Sequence, residues 1–549
     1  MKKIFSLFIV MMAVIAMSFG AAFASDTPTK PKLPNSPENV AKGKLIYFKR
    51  CSFCHGLKGD GDGPVARQLH VRPRDFTKGL YKFRTTESGS LPLDEDLFRT
   101  ISRGLPGSAM QTFDVEKVKS GLSEDERWQV IQYIKTFSAD FADASNDPTK
   151  MVVKVGNPIA TSPDSIAKGK KLFEENRCWE CHGHDGRGNG PNSIRLKDKF
   201  RADPIVPADL SKFWRYKGGN TQKDVYMRFN TGLNGTPMPS FTDSITEEDR
   251  WHLANFVVSL QKKGIKNDQV LKAKLVKGEL PLDAQNPAWK TAEPIDVRLA
   301  GQVIWRPRWE NPSVDLVTVQ AIYNDKEVAF RFEWDDRTKD TVHNPALEYK
   351  VPADYAGYAS WEDVPRKLGN FRDSLAIQFP SKPSEGNKKP HFLRGDGANP
   401  VNLWVWKSDL EEAGQPSVEN VIAKGPDSGL TPQAADDQIV KGKGVYLMND
   451  LKKGNMEDFI GTYTLVMKRP LTSKVKSDVQ FELGKFVPFS LNAWDGANGE
   501  QGLMMSLSTW NSVILEAPVP TSVYVYTVLG IILMGGIEFV IVRGLKKED

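Results

Sequence analysis

Cysteine is scarce in this chain: there are four in 549 residues, all of them inside two short glycine-rich stretches. In an exported protein four cysteines would ordinarily make two disulfides, but these leave none over for a cross-link elsewhere. Charge of one sign is also lacking. The 74 basic residues against 68 acidic ones leave a formal charge of +6, which gives nucleic acid no weight as a partner. Long apolar runs occur only at the two ends. Between them the composition is that of folded protein, 26% charged and 40% apolar, with 35 prolines and 44 glycines to supply loops. At 549 residues a single core is not expected to keep growing, so the chain should fold as several domains.

The N-terminal run has Lys2 and Lys3, an apolar stretch from Ile4 to Phe19, and Ala22-Phe23-Ala24 before Ser25. This is the pattern of a signal peptide over residues 1–24, with the mature chain beginning outside the cytoplasm near Ser25. An uncleaved anchor is the alternative. The C-terminal run, Val523 to Val542, is twenty residues long with one acidic interruption at Glu538, and at helical rise it matches a hydrocarbon core of about 30 Å. Arg543, Lys546 and Lys547 follow it, so the tail is expected in the cytoplasm and the bulk of the chain on the periplasmic side of the inner membrane. A buried soluble helix is the competing reading.

The four cysteines fall as Cys51-Ser52-Phe53-Cys54-His55 and Cys178-Trp179-Glu180-Cys181-His182. Cys-x-x-Cys-His is the attachment site of c-type haem: on one helical turn two thiols can add to the two vinyl groups of a porphyrin while the next imidazole turns onto the iron. Isolated Cys-x-x-Cys pairs also serve redox exchange or zinc. The axial position opposite the histidine draws attention to "GLPGSAMQTF", with Met110, and "GLNGTPMPSF", with Met238. Met110 follows His55 by 55 residues and Met238 follows His182 by 56, each in a Gly-Leu-x-Gly loop with a phenylalanine (Phe113, Phe241) three positions on. Met227 competes with Met238, and His70, His184 and His252 compete with the methionines.

The repetition goes further. "AKGK" at 41–44 recurs at 167–170, and "SEDERWQVIQYI" at 123–134 matches "TEEDRWHLANFV" at 246–257, where Ser123 and Thr246 are expected helix N-caps. One haem-binding unit has been duplicated in tandem. The glycine runs "GDGDG" and "GRGNG" are read as tight turns after the haem helices, since an EF-hand loop counted from Asp60 would need glutamate where Val71 stands.

On these residues the chain resembles class I cytochrome c domains at 37–140 and 162–262. The resemblance implies two small all-α folds around two covalent haem c groups, with first and last helices crossing at "AKGK" and "ERW". It makes Cys51, Cys54, Cys178 and Cys181 thioether sites, His55 and His182 proximal ligands, and Met110 and Met238 distal ones.

After a lysine-rich connector, expected over 263–285, the pattern alternates. "LVTVQAIY" (316–323) and "VAFRFEW" (328–334) read as a hairpin, and "SLAIQF", "VNLWVW", "TYTLVM" and "VPFSLNAW" as further strands. Nine of the thirteen tryptophans lie beyond residue 286, enough for a β-sandwich with its own core over 286–512. "DSLAIQFP", "NPVNLWVWKSD", "LVMKRPL" and "LNAWDGANGEQG" resemble the haem-binding γ-subunit domain of ethylbenzene dehydrogenase and related molybdenum enzymes. That resemblance implies a non-covalent haem b held between methionine and lysine. Lys485 is the candidate lysine and His391 a candidate on the other side, while Arg394 stands where the methionine is expected.

Two saturated His/Met irons suit electron transfer and not substrate turnover. The expected role is therefore a membrane-anchored carrier between redox partners, one of them a molybdenum oxidoreductase. A dihaem peroxidase or reductase with one open iron is the enzymatic rival; an anchored docking or ligand-binding sandwich carrying cytochromes is the other.

Overall fold

The computed structural model describes residues 28–545 except 67–68, 70, 185, 189, 203–204, 263, 267, 310–311, 337, 350–369, 383–388, 449–460 and 518–520. The expected signal segment and His70 lie outside the described residues. The chain divides into two compact units, with the boundary between residues 263 and 264.

The first unit is helical and built twice. Its first half contains α1 (Pro37–Arg50), α2 (Ser52–His55), α3 (Asp94–Arg103) and α4 (Glu124–Lys135). Its second half contains α5 (Pro163–Glu175), α6 (Trp179–His182), α7 (Gln222–Thr231) and α8 (Glu247–Ser259). The long helices start where side-chain oxygens capture orphan N–H groups: Ser36 and Ser162 cap α1 and α5, each followed by proline at the first helical position, and Ser123 and Thr246 cap α4 and α8.

First and last helices of each half touch at a glycine. A Cβ on Gly43 would lie 1.9 Å from the Gln129 carbonyl oxygen, and one on Gly169 2.1 Å from that of His252. Only a residue without a side chain permits so close a backbone approach. One residue before each contact, Trp128 and Trp251 are buried, stacked on Phe98 (4.4 Å between ring centres) and Tyr226 (3.8 Å).

The halves are joined by arginine. Arg84 of the first donates to the Thr231 carbonyl (2.7 Å), and Arg228 of the second donates back to the Lys82 (3.3 Å) and Arg84 (2.9 Å) carbonyls. Arg201 of the second half reaches the Asp60 and Gly61 carbonyls of the first. These are side-chain forks on backbone oxygens, so orientation is fixed by geometry as well as by charge.

The second unit is sheet-rich. Its strands are β1 (Val270–Leu275), β2 (Ile295–Arg298), β3 (Ala300–Gly301), β4 (Leu316–Tyr323), β5 (Glu327–Asp336), β6 (Ser374–Pro380) and β7 (Val401–Lys407). They continue with β8 (Val418–Ala423), β9 (Thr431–Pro432), β10 (Lys441–Met448), β11 (Gly461–Pro470), β12 (Phe486–Trp494), β13 (Ser506–Leu507) and β14 (Asn511–Leu515), and a short helix α9 (Ser408–Glu412) follows β7. The main path runs β10-β11-β5-β4-β1-β14-β12-β6-β7-β8-β9. Its two wings face each other across aromatic contacts between strands that are not neighbours: Phe330 on β5 lies 5.9 Å from Phe379 on β6 and 5.8 Å from Trp404 on β7, and Trp334 lies 5.9 Å from Trp406.

The lysine-rich connector expected over 263–285 is corrected by this topology. It contains β1, which pairs in parallel with β14 and β4 and joins the two wings, with Leu271 and Ala273 fully buried. Lysines at 272 and 274 alternate with those apolar residues. Six residues of alternation among lysines look like a solvated stretch until both distant partners are in place.

The chain ends in α10 (Thr521–Leu545), twenty-five residues long. Side chains are described for 526–539, and every one is exposed. Among the described residues, no helix is long and apolar enough to cross a membrane.

Candidate haem sites

Each cysteine pair sits at the turn that follows a long helix. In the first half the Cys51 N–H still bonds back to Tyr47 (2.8 Å), and α2 then makes one turn, closed by the His55 N–H to the Cys51 carbonyl (2.8 Å). In the second, the His182 N–H bonds the Cys178 carbonyl at 3.0 Å. All four thiols are unlinked and half-buried. Burial pushes Cys51 and Cys178 up to about 12, so these are protonated thiols and not the low-pKa thiolates that disulfide exchange requires.

The glycine runs clamp the histidines. Gly61 N–H donates to the His55 carbonyl (2.9 Å) and Gly188 N–H to that of His182 (2.7 Å), both glycines with φ near +70°. Each ring is aimed by its other nitrogen: His55 Nδ1 donates to the Arg74 carbonyl and His182 Nδ1 to the Ala208 carbonyl, both at 3.0 Å. That tautomer leaves Nε2 with its lone pair, as a metal-ligating imidazole requires. Burial lowers the pKa of both, His55 to about 4, so both rings are neutral. Phe76 stacks on His55, 4.5 Å between centres.

The Arg74 and Ala208 carbonyls are the orienting groups that reading by motif missed. Their signal is a second, fainter repeat, Pro73-Arg74-Asp75 against Pro207-Ala208-Asp209. The same carbonyl in the same tripeptide aims each histidine, whatever the side chain.

Met110 and Met238 lie in matching loops. The Leu105 N–H bonds the Met110 carbonyl (2.8 Å) and the Leu233 N–H that of Met238 (3.1 Å). A hydroxyl, Ser108 or Thr236, accepts from each methionine N–H (3.3 and 3.2 Å). Gly104 and Gly232 end α3 and α7 with positive φ, and a Cβ on either would meet the turn's own backbone at 2.6 Å. Met110 and Cys51 pack on the apolar core of the first half, Met238 and Cys178 on that of the second. Met227 lies inside α7 and is buried. His184 bonds Glu174 (2.8 Å) and stacks on Trp179, and His252 bonds Ser165 (2.7 Å), so both rings are engaged elsewhere.

Each half therefore combines two thiols one turn apart, a neutral imidazole with Nε2 unspent and a thioether on a hydrogen-bonded loop. That donor chemistry fits a covalently attached haem.

The sheet-rich unit is different. Lys485 is exposed and its ammonium pairs with Glu482 (2.5 Å); His391 is also exposed, its Nδ1 accepting the Leu393 N–H (3.1 Å). Arg394 is buried in a left-handed conformation (φ +60°) and donates to the Gly502 carbonyl (2.8 Å). Two surface side chains and a guanidinium committed to backbone do not form the ligand pair expected for a buried haem b.

Comparison with known proteins agrees with this division. The cytochrome c family model matches residues 40–138 and 166–261, and the ethylbenzene dehydrogenase model matches 286–453. A Haloferax mediterranei protein named as a respiratory nitrate reductase heme subunit, ORF7, is 23% identical over 273 residues, 49% of this chain and 81% of its own length. The chlorate reductase gamma subunit of Ideonella dechloratans is 24% identical over 195 residues, 35% of this chain and 62% of its own length. A chain of the reducing HAO-like complex Kustc0457/Kustc0458 of Kuenenia stuttgartiensis is 44% identical, covering 42% of this chain and 100% of that one, with a TM-score of 0.39. The chain thus spans most of the first relative and less than two thirds of the second. It carries two cytochrome c domains, over residues 40–138 and 166–261, followed by a domain of the ethylbenzene dehydrogenase family over 286–453.

Proposed function

We propose that this chain is the electron-transfer subunit of an extracytoplasmic oxidoreductase complex, carrying two c-type haems and anchored by α10. The observation that carries the reading is the duplicated frame: the His Nδ1-to-carbonyl bond, the glycine clamp and the methionine loop recur in both halves. Cys51, Cys54, Cys178 and Cys181 are the thioether residues, His55 and His182 the proximal ligands, and Met110 and Met238 the distal ones. When bound, each haem supplies a one-electron ferric/ferrous couple.

The protein's contribution is to hold rather than to react. The carbonyls of Arg74 and Ala208 keep the imidazoles in one tautomer and orientation, which limits reorganisation when the iron changes charge. Met110 and Met238 would supply the second ligand to each haem, which would deny that iron to peroxide or other small substrates and favours relay over the peroxidase alternative. The arginine forks between the halves keep the two centres in a fixed relation.

The relatives named as reductase subunits support a partner of that kind, and the ethylbenzene dehydrogenase-like domain supports a molybdenum enzyme in particular. We assign the sheet-rich unit to partner docking. Membrane attachment is read from the apolar sequence Val523 to Val542, which falls within α10, and the described side chains from Tyr526 to Phe539 are all exposed.

The test is spectroscopic. Pyridine haemochrome of the purified chain should report two c-type haems. Met110→Ala and Met238→Ala should each convert one centre to high spin and lower its potential, leaving the other intact. Low-spin spectra unchanged in both variants would defeat the ligand assignment.

A further inference from the structure

Away from both haem motifs, three carboxylates meet inside the sheet-rich unit. Asp336 is the last residue of β5, Asp373 precedes β6, and Asp495 follows β12, whose Trp494 pairs with Ser374. They come from both wings of the sheet path. One oxygen of each lies within 4.8 Å of the others, and all three residues are buried, at 4%, 0% and 5% exposure.

Among the described residues their hydrogen-bond partners are neutral. Asp373 accepts from the Asp340 N–H (2.7 Å), the Tyr463 hydroxyl (2.9 Å) and the Gly496 N–H (2.9 Å). Asp495 accepts from the Asn498 N–H (3.1 Å), and Asp336 Oδ1 from the Thr338 N–H (3.2 Å). Asp336 Oδ2 is buried with no hydrogen-bond partner among the described residues. An acceptor oxygen stripped of water and left unbonded carries a large penalty, and buried charges are otherwise paired or bound to metal.

The spacing says what would compensate it. Oxygens bound to one Ca²⁺ at about 2.3–2.6 Å lie at most roughly 4.6–5.2 Å apart, whereas Mg²⁺ at about 2.0–2.1 Å holds them within roughly 4.2 Å. Oxygens that all lie within 4.8 Å of one another can share one such ion; three buried carboxylates suit Ca²⁺ better than Mg²⁺, which gives up its waters reluctantly and is seldom caged by protein alone, and an all-oxygen donor set excludes the soft metals. We propose that Asp336, Asp373 and Asp495 form a Ca²⁺ site that ties the end of β5 to the adjoining ends of β6 and β12. Asp336 Oδ2 is the open ligand, while the N–H and hydroxyl donors on Asp373 orient its carboxylate.

The experiment uses the full holo-chain, stripped with EGTA and titrated with CaCl₂ by calorimetry, with MgCl₂ as the second arm. One Ca²⁺ should bind per chain, at least tenfold more tightly than Mg²⁺, and should raise the melting transition of the sheet-rich unit. Asp336→Asn distinguishes the alternatives while keeping shape. With a metal site it loses at least tenfold in Ca²⁺ affinity and melts with the EGTA-treated protein. If the three carboxylates merely share protons, it melts above wild type in EGTA and Ca²⁺ shifts neither protein. That second outcome, or absence of a Ca²⁺ isotherm in the wild type, overturns the proposal.

Discussion

Replacing Gly43 by alanine sets two effects of opposite sign against each other. Helix propensity alone favours alanine in the interior of α1 by about 0.8–1.0 kcal/mol. The crossing opposes it: the new methyl carbon would stand 1.9 Å from the Gln129 oxygen, 2.6 Å from its carbonyl carbon and 3.1 Å from Tyr133 Cβ. Relative to a contact optimum of about 3.5 Å the first of these is roughly 1.6 Å too short. A backbone oxygen inside α4 cannot rotate aside, so the helices must separate and loosen the Trp128–Phe98 stack beside them. Overpacking of this kind costs typically about 1–3 kcal/mol. Because the displacement is large and backbone on backbone, the upper end applies, and after the propensity gain the net loss is about 2 kcal/mol. For a domain of this size that lowers the melting temperature by roughly 4–8 °C per kcal/mol. Gly169→Ala, 2.1 Å from the His252 oxygen and 2.7 Å from Phe256 Cβ, should act alike on the second half. Melting of the full holo-chain, followed by Soret absorbance and far-ultraviolet circular dichroism, is the assay. An unchanged or higher melting temperature in both variants would refute the close crossing and leave propensity the winner.

Arg201→Gln removes a cation whose guanidinium bonds the Asp60 and Gly61 carbonyls, in the loop that clamps His55. A cation there disfavours ferric iron, so the variant should lower the first haem's potential by up to roughly 60 mV, a tenfold change for one electron. A redox titration in which neither wave moves, or both move together, speaks against it. Asp94 carries a pH signature. Burial raises its pKa, but its bonds to Lys135 (2.7 Å) and Lys32 outweigh burial and hold the carboxyl below its ordinary value. A depressed folded pKa gives stability that is present above the unfolded value, near 4, and is lost as pH falls through the folded one. Asp94→Asn should therefore cost about 1 kcal/mol at pH 7 and converge with wild type as the pH falls through the depressed folded value in urea titrations; a pH-independent gap would contradict this. Lys485→Ala and His391→Ala should leave the haemochrome spectrum and haem count unaltered, and loss of a b-type signal in either would reinstate them as ligands.

Much of this protein is local and could be read from one dimension. The Cys-x-x-Cys-His turns, the Gly-Leu-x-Gly loops before Met110 and Met238, and the caps at Ser123 and Thr246 are contiguous in sequence, and duplication prints each twice. The hairpin of β4 and β5 is equally local, because two strands three residues apart form their own ladder. What tertiary structure alone decided depends on residues far apart along the chain. β1 looked like a linker because its partners, β14 and β4, lie elsewhere in sequence and only pairing reveals its buried face. The carbonyls that aim the two histidines carry no side-chain signature. Lys485, His391 and Arg394 were placed on the surface or against backbone by packing that no motif records. Asp336, Asp373 and Asp495, ordinary acids along the chain, become one buried site because three strand ends converge. Sequence specifies the chemistry available at each position; burial and convergence, which set hydration and charge, exist only once the chain has folded.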